Sequence, residues 1–293
     1  MKLISFGEVI WDIYGNDRTL GGAPLNFAAH AALQGCDAYF ASAVGNDSLG
    51  KEAVKQIKDL GLGDEYISIA DGKPTGQCHI TLDSKGVPSY RILEDTAYDL
   101  ITVDGDRMKG FDALAFGTLA LRNEYNREQI KALLSSGSFS EIYTDLNIRP
   151  PFYSRESITI CLGGATIVKI SDEELPTVTK ELFGKPLSVE EGAEEIAKSF
   201  PQIKLILITK GAEGSCCYHC KSKDFYGCPA EAASVISSVG AGDSFGATFL
   251  VQYMKTGDIE GSMALASKVS AFVVSRKGAI PHDMKEFLKS INI

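Results

Sequence analysis

Val239-Gly240-Ala241-Gly242-Asp243-Ser244-Phe245-Gly246 runs directly into the apolar stretch Ala247-Thr248-Phe249-Leu250-Val251. A glycine-rich turn that opens a helix leaves unpaired backbone amides at the positive end of the helix dipole. Glycine lets a bulky anion such as a phosphate approach those amides without interference from Cβ. Asp243 falls in the first turn, where the dipole favours its ionised form by about 0.3–1 kcal/mol. An ionised carboxylate beside such a cradle can take a proton from an attacking hydroxyl. It can equally be an ordinary helix cap, and the tetrapeptide alone does not choose.

Outward from this stretch, short apolar runs alternate with amphipathic ones. Residues 3–6, 38–44, 113–116, 141–145, 166–170 and 204–209 read as strands. Helical patterns separate them at 24–33, 49–60 and 189–200, and helices at 243–253 and 259–275 close the core. In the first helix Leu25, Ala28, Ala29, Ala32 and Leu33 share one face, Pro24 opens it and Gly35 follows its end. This rhythm predicts an α/β chain with a mostly parallel central sheet covered by helices on both faces. No internal repeat or linker divides it, so one domain is expected over 1–293.

Residues 76–82 depart from the rhythm. Gln77, His79 and Thr81 alternate with Cys78, Ile80 and Leu82. Asp83-Ser84-Lys85-Gly86 then turns the chain, which returns over 87–93. This predicts a β-hairpin outside the parallel sheet, suited to cover a site as a lid.

With 44% hydrophobic and 23% charged residues the chain can bury a sizeable core. The net charge of −9 speaks against a nucleic-acid or anionic-membrane partner, either of which needs a basic face. The first residues turn polar by Glu8, so no secretion signal is expected, and no apolar run reaches membrane-spanning length. These features predict a cytoplasmic protein whose seven cysteines are reduced thiols.

Three further stretches can carry chemistry. Leu20-Gly21-Gly22-Ala23-Pro24-Leu25-Asn26 brings backbone close to something and places Asn26, which both donates and accepts, one turn into a helix. Asp12 can clamp two hydroxyls with its two oxygens. Ile208-Thr209-Lys210-Gly211-Ala212-Glu213-Gly214 ends a very apolar strand, and ligands bind at such strand ends in open α/β sheets. Lys169-Ile170-Ser171-Asp172-Glu173-Glu174 ends another strand in an acidic cluster that can hold water around Mg2+ or cap a helix. Cys216-Cys217-Tyr218-His219-Cys220 lies on an expected strand, which sends neighbours to opposite faces and opposes a zinc site. No Ser-His-Asp order stands out among the four histidines, and no G-x-G-x-x-G follows the first strand, so hydrolase and dinucleotide chemistry lack support.

Together these stretches resemble the ribokinase-like (PfkB) carbohydrate kinases. Gly240-Ala241-Gly242-Asp243 resembles the family signature, and Gly21-Gly22-Ala23-Pro24-Leu25-Asn26 its N-terminal sugar motif. Gly45-Asn46-Asp47-Ser48-Leu49-Gly50 and Arg276-Lys277-Gly278-Ala279-Ile280-Pro281 match further segments, so the likeness runs from about Leu3 to Pro281. Within the family the chain is similar to fructokinases in Pro74-Thr75-Gly76-Gln77, Phe116-Gly117-Thr118-Leu119-Ala120-Leu121-Arg122 and Asp145-Leu146-Asn147-Ile148-Arg149-Pro150.

The resemblance implies a three-layer α/β/α sandwich with a small β lid, formed mainly by about 10–18 and 74–98. It implies transfer of the ATP γ-phosphoryl group to a primary hydroxyl, first of all O6 of D-fructose. The same chemistry on 2-keto-3-deoxygluconate, ribose or a nucleoside stays open, as does a silent sugar-binding regulator that would not need the base. Carried over by position, Asp243 is the base and the amides of Gly240, Ala241 and Gly242 form the anion hole. Asp12, Gly21, Gly22 and Asn26 bind sugar, with Arg91 and Arg149 as further sugar or phosphate ligands. Lys169, Ser171, Glu174, Thr209, Gly211 and Gly214 serve the nucleotide, Glu174 reaching Mg2+ through water. Two positions depart from the family pattern. Ser171 stands where the Mg2+ motif begins with Asn, which implies altered ion placement. Ser237 stands where relatives carry an Asp that helps bind K+, so a monovalent-cation site among Ser237, Val239 and Gly278 lacks its charged ligand. The family often forms homodimers through its lids, and the alternating hairpin allows that.

Overall fold

The computed structural model describes residues 1–293 apart from 83–87, 106–108 and 137. In chain order, β1 (Lys2–Phe6), β2 (Ile10–Tyr14) and β3 (Asp17–Gly21) precede helix α1 (Ala23–Leu33). Then come β4 (Asp37–Gly45), α2 (Ser48–Asp59), β5 (Ile67–Ala70), β6 (Gly76–Leu82) and β7 (Pro88–Ile92). The middle of the chain holds β8 (Ala113–Gly117), α3 (Glu124–Ser136), β9 (Glu141–Asp145), α4 (Arg155–Gly164), β10 (Ile167–Ser171), α5 (Leu175–Phe183) and α6 (Val189–Ser199). The last third contributes β11 (Leu205–Thr209), β12 (Ser215–His219), β13 (Asp224–Cys228), α7 (Ala241–Thr256), α8 (Ile259–Val274) and α9 (Met284–Ser290).

The large sheet has the order β13-β12-β11-β10-β9-β8-β1-β4-β5. It is parallel from β11 to β5, with β12 and β13 added antiparallel at one edge. β11 shows why this sheet needs cover on both faces. Leu205, Ile206, Leu207 and Ile208 are all fully buried. Strand geometry sends Leu205 and Leu207 into the layer of α1, α2, α7 and α8, and Ile206 and Ile208 into that of α3 to α6. Each such side chain contributes about 1.5–3 kcal/mol by leaving water. The chain is therefore a mixed α/β sandwich of helix, sheet and helix, with a smaller separate sheet, as the strand–helix rhythm predicted.

The hairpin expected at 76–93 is half of that second sheet, whose order is β3-β2-β6-β7. Its turn, Asp83-Ser84-Lys85-Gly86, lies outside the described residues. Asp12 lies on β2, opposite Thr19 of β3 and Cys78 of β6. Helix α7 begins at Ala241, two residues ahead of the expected start, because Gly240 caps it in the left-handed region.

The side of the large sheet on which successive strands are added switches at β1. From β1 the chain adds β4 and β5 on one side, then β8 to β11 on the other. Such a switch point opens a crevice beyond the carboxyl ends of its strands.

Candidate active site

A cleft occupies that crevice, with Ser5, Glu8, Phe27, Gly117, Asp145 and Asp243 among its lining. Asp243 enters it from the first turn of α7. The cap of that helix is Gly240, at φ 80°, and no side chain caps it. Asp243 is thus free of the capping role left open by the sequence. Its Oδ2 accepts a hydrogen bond instead from Asn26 Nδ2 of α1 at 2.8 Å. Asp243 keeps some surface, yet protein crowds its carboxyl. Burial pushes its pKa up to about 7; the Asn26 hydrogen bond opposes this, Asp145 adds to it, and Lys169 and Arg149 pull it down.

Gly22 has a steric reason to be glycine. Gly22, at φ 122°, precedes α1, and a Cβ there would lie 2.4 Å from the Glu8 carbonyl oxygen. Its own carbonyl accepts from the Asn26 amide at 2.9 Å, which starts the helix. Asn26 is 5% exposed, and its Oδ1 is buried without a partner while its Nδ2 holds Asp243. Asp12 looks across from β2, close to Gly21. Burial raises its pKa, with the Cys78 thiol hydrogen bond opposing. Arg149 is exposed, but its charge acts on Glu8, Cys78 and Asp243 together. Arg91 projects from β7 into solvent, in register with His79.

Adjacent strand ends supply the other half. Lys169 of β10 sits in register with Asp145 of β9, and its Nζ donates to Asp145 Oδ2 at 2.7 Å. Burial opposes the ammonium, but Asp145 beside it holds the Lys169 pKa above its ordinary range. The ammonium also approaches Gly242, where a Cβ would lie 3.1 Å away. Ser171 and Glu174 form a reciprocal pair: Ser171 N donates to Glu174 Oε2 at 2.9 Å, and Glu174 N to Ser171 Oγ at 3.2 Å. Glu174 Oε1 also accepts from Ile148 N at 2.5 Å, which ties the ends of β9 and β10. Thr209 pairs with Ser171 across the sheet, and its carbonyl accepts from Asp172 N at 3.0 Å. Gly211 and Gly214 bound the short turn from β11 to β12.

Elsewhere, the Ala241 amide turns back to Ser238 O at 3.3 Å, leaving Gly242 and Asp243 to present the helix-end amides. Ser237 Oγ accepts from Val239 N at 3.3 Å, and the Ser237 amide donates to Val274 O at 3.1 Å. Gly278, at φ 81°, lies in the segment that passes under Gly240. Cys216 and Cys217 point into opposite helical layers, and no group of three metal-ligating side chains comes together among the described residues.

Sequence reasoning did not single out Glu8, which lines the cleft, or Asp145, which pairs with Lys169. Glu8 is 3% exposed, and burial pushes it up to about 7, opposed by the Glu8 and Ala23 amides and reinforced by Asp243. Its only sequence signal is an acid two residues beyond an apolar strand. Asp145 acquires its place from strand register, which no local pattern reveals.

Residues 3–286 match the pfkB family carbohydrate kinases. A probable fructokinase-5 of Arabidopsis thaliana is 26% identical over 95% of this chain and 93% of its own. The solved fructokinase of Xylella fastidiosa with bound ATP superposes with a TM-score of 0.85 at 19% identity, covering 100% of this chain and 99% of that one. The Vibrio cholerae fructokinase bound to fructose, ADP and calcium superposes at 0.79 with 22% identity, over 95% and 94% of the two chains. No helix among the described residues is long and apolar enough to cross a membrane. A match across nearly the whole chain, on a fold that puts a helix-end carboxylate into the switch-point cleft, identifies this protein as a member of the pfkB family, a sugar kinase.

Proposed function

We propose that the chain transfers the γ-phosphoryl group of ATP to a primary hydroxyl of a free sugar, with D-fructose and its O6 as the first substrate. The observation that carries this is the Asp243 carboxylate, on the amide-rich end of α7 and bonded to Asn26 of the sugar motif at 2.8 Å. Asp243 takes the proton of the attacking hydroxyl, the sugar oxygen bonds to the γ-phosphorus, and the bond to ADP breaks in line. The α7 amides and the Lys169 ammonium face the charge that develops on the phosphoryl oxygens. Asn26 Oδ1 and Asp12 offer acceptors to the other sugar hydroxyls. The small sheet carries Asp12 and acts as the lid.

A divalent ion fits this site only in part through protein. Both oxygens of Glu174 already hold backbone amides, but each keeps a lone pair for an ion-bound water. Mg2+ usually takes one or two carboxylates plus substrate phosphates and water. Fructose as substrate draws support from the fructokinase relatives and from the Vibrio cholerae structure with fructose and ADP.

The test is kcat/KM across free sugars, sugar acids and nucleosides with ATP. Fructose should lead the panel. A nucleoside or sugar acid that leads it by tenfold or more would overturn the fructose assignment while leaving the kinase in place.

The pH profile is a second expectation. The base works ionised, and Asp243 and Glu8 both sit at about 7, so their titrations belong to the pair. kcat/KM should rise with pH to a plateau above about 7, falling tenfold per unit below it. Stability runs the other way. The folded carboxyls hold protons that the unfolded chain has released above 3.8 and 4.5, so stability declines as pH rises from about 4 to about 7. Rate and Tm measured over pH 4–9 check both signs; an activity limb centred near 4 contradicts the burial of the base.

A further inference from the structure

Asn26 and His30 of α1 and Gln34, its C-cap, are spaced by four, which puts them on one stripe of the helix. All three are buried, at 5%, 0% and 5% exposure. On an otherwise apolar helix, three buried polar side chains in a row demand partners. Asn26 bonds Asp243 in the first turn of α7. Gln34 Nε2 donates to Thr248 Oγ1 at 3.0 Å, and Gln34 Oε1 accepts from Gln252 Nε2 at 3.2 Å, both on α7. The middle rung does something different. His30 Nε2 lies 2.8 Å from the carbonyl oxygen of Ala279, in the segment between α8 and α9.

A carbonyl only accepts, so Nε2 carries the proton. Burial lowers the His30 pKa to about 4, opposed by the Ala279 carbonyl, so the ring is neutral and Nδ1 is a bare acceptor without a partner. Ala279 itself lies against Gly240: a Cβ on Gly240 would fall 2.6 Å from the Ala279 Cα and Cβ. Gly240 is the cap of α7, two residues ahead of the Gly242 amide that the helix end presents. Ala279 is thus held on one side by His30 and braces Gly240 on the other. One helical turn of α1, about 6 Å, separates the side chain that meets the base from the one that fixes the cradle.

Resting on the kinase reading above, we infer that His30 is a positioning residue for the phosphate cradle, setting the backbone of Gly240 to Gly242 through Ala279. A misplaced cradle costs transfer and nucleotide binding without disturbing Asp12, Gly22 or Asn26 at the sugar. His30→Leu keeps the buried volume and loses the donor, whereas His30→Gln keeps an N–H at similar reach. We expect His30→Leu to lower kcat/KM for ATP by about tenfold, since small misplacements of positioned groups cost up to 10²-fold. The sugar KM should stay within about twofold, and His30→Gln should recover most of the loss.

A second readout needs no variant to fold. In wild-type protein with 15N-labelled histidine, the Nε2–H resonance of His30 should move on adding a non-hydrolysable ATP analogue and stay put with fructose alone. Wild-type kinetics in His30→Leu would overturn the inference. So would equal rises in both KM values without rescue by Gln, which mark a packing role, or an unmoved resonance in protein that binds the analogue. Wild-type protein that binds no analogue and releases no ADP overturns the kinase reading, and the role of His30 falls with it.

Discussion

Replacing Asp243 with alanine is expected to lower kcat by about 10²–10⁴, the range for loss of a general base. The fold should survive. Asp243 caps nothing, since Gly240 ends the helix and no side chain closes it. Its raised pKa means that the folded protein tolerates the charge poorly, so removing the carboxyl relieves a cost. Tm at pH 8 should therefore stay level or rise, while sugar-dependent ADP formation collapses. The sugar KM should change far less than kcat, because Asp12 and Gly22 are untouched and Asn26 loses only the partner of its Nδ2. A variant that turns over at the wild-type rate removes Asp243 from the chemistry.

Replacing Lys169 with methionine should produce the largest loss of stability. Lys169 and Asp145 are only 7% and 15% exposed and meet at 2.7 Å. Asp145 Oδ1 already lacks a protein partner. Removing the ammonium strands a carboxylate between β9 and β10 in a region of low dielectric. Breaking a buried pair in this way costs about 3–5 kcal/mol, and at this chain length that is a fall in Tm of roughly 5–8 °C. The double variant Lys169→Met with Asp145→Leu should recover most of the loss, since matched apolar groups often replace a buried pair without penalty. Both variants should be poor catalysts, because the cation facing Gly242 is gone. Thermal melts decide the point: a single variant within about 2 °C of wild type would mean the pair adds little to the fold.

The two variants are expected to fail in different ways, because on the proposed mechanism Asp243 serves the chemistry while Lys169 also ties the sheet. The same contrast governs what was legible beforehand. β1, β4 and β8 to β11 were readable because buried parallel strands are short apolar runs, and a run such as Leu205-Ile206-Leu207-Ile208 has few other uses. Strand β3 was not, since Asp17-Arg18-Thr19 is polar and exposed and exists as a strand only by pairing with β2. Asp243 was visible through its glycines, yet its freedom from capping came from the left-handed Gly240. Glu8 and Asp145 were visible only as acids at strand ends, because tertiary packing and register, not local pattern, give them their places. His30 was countable as one of four histidines; its spacing from Asn26 gains meaning only once α7 and Ala279 are seen on that face.

The most direct measurement follows 13C-fructose and ATP with the wild-type protein by NMR, alongside ADP release with and without sugar. The expected result is sugar-dependent ADP, equal in amount to fructose phosphorylated at O6. ADP released at the same rate without sugar, or no phosphate appearing on any primary hydroxyl, would contradict the account.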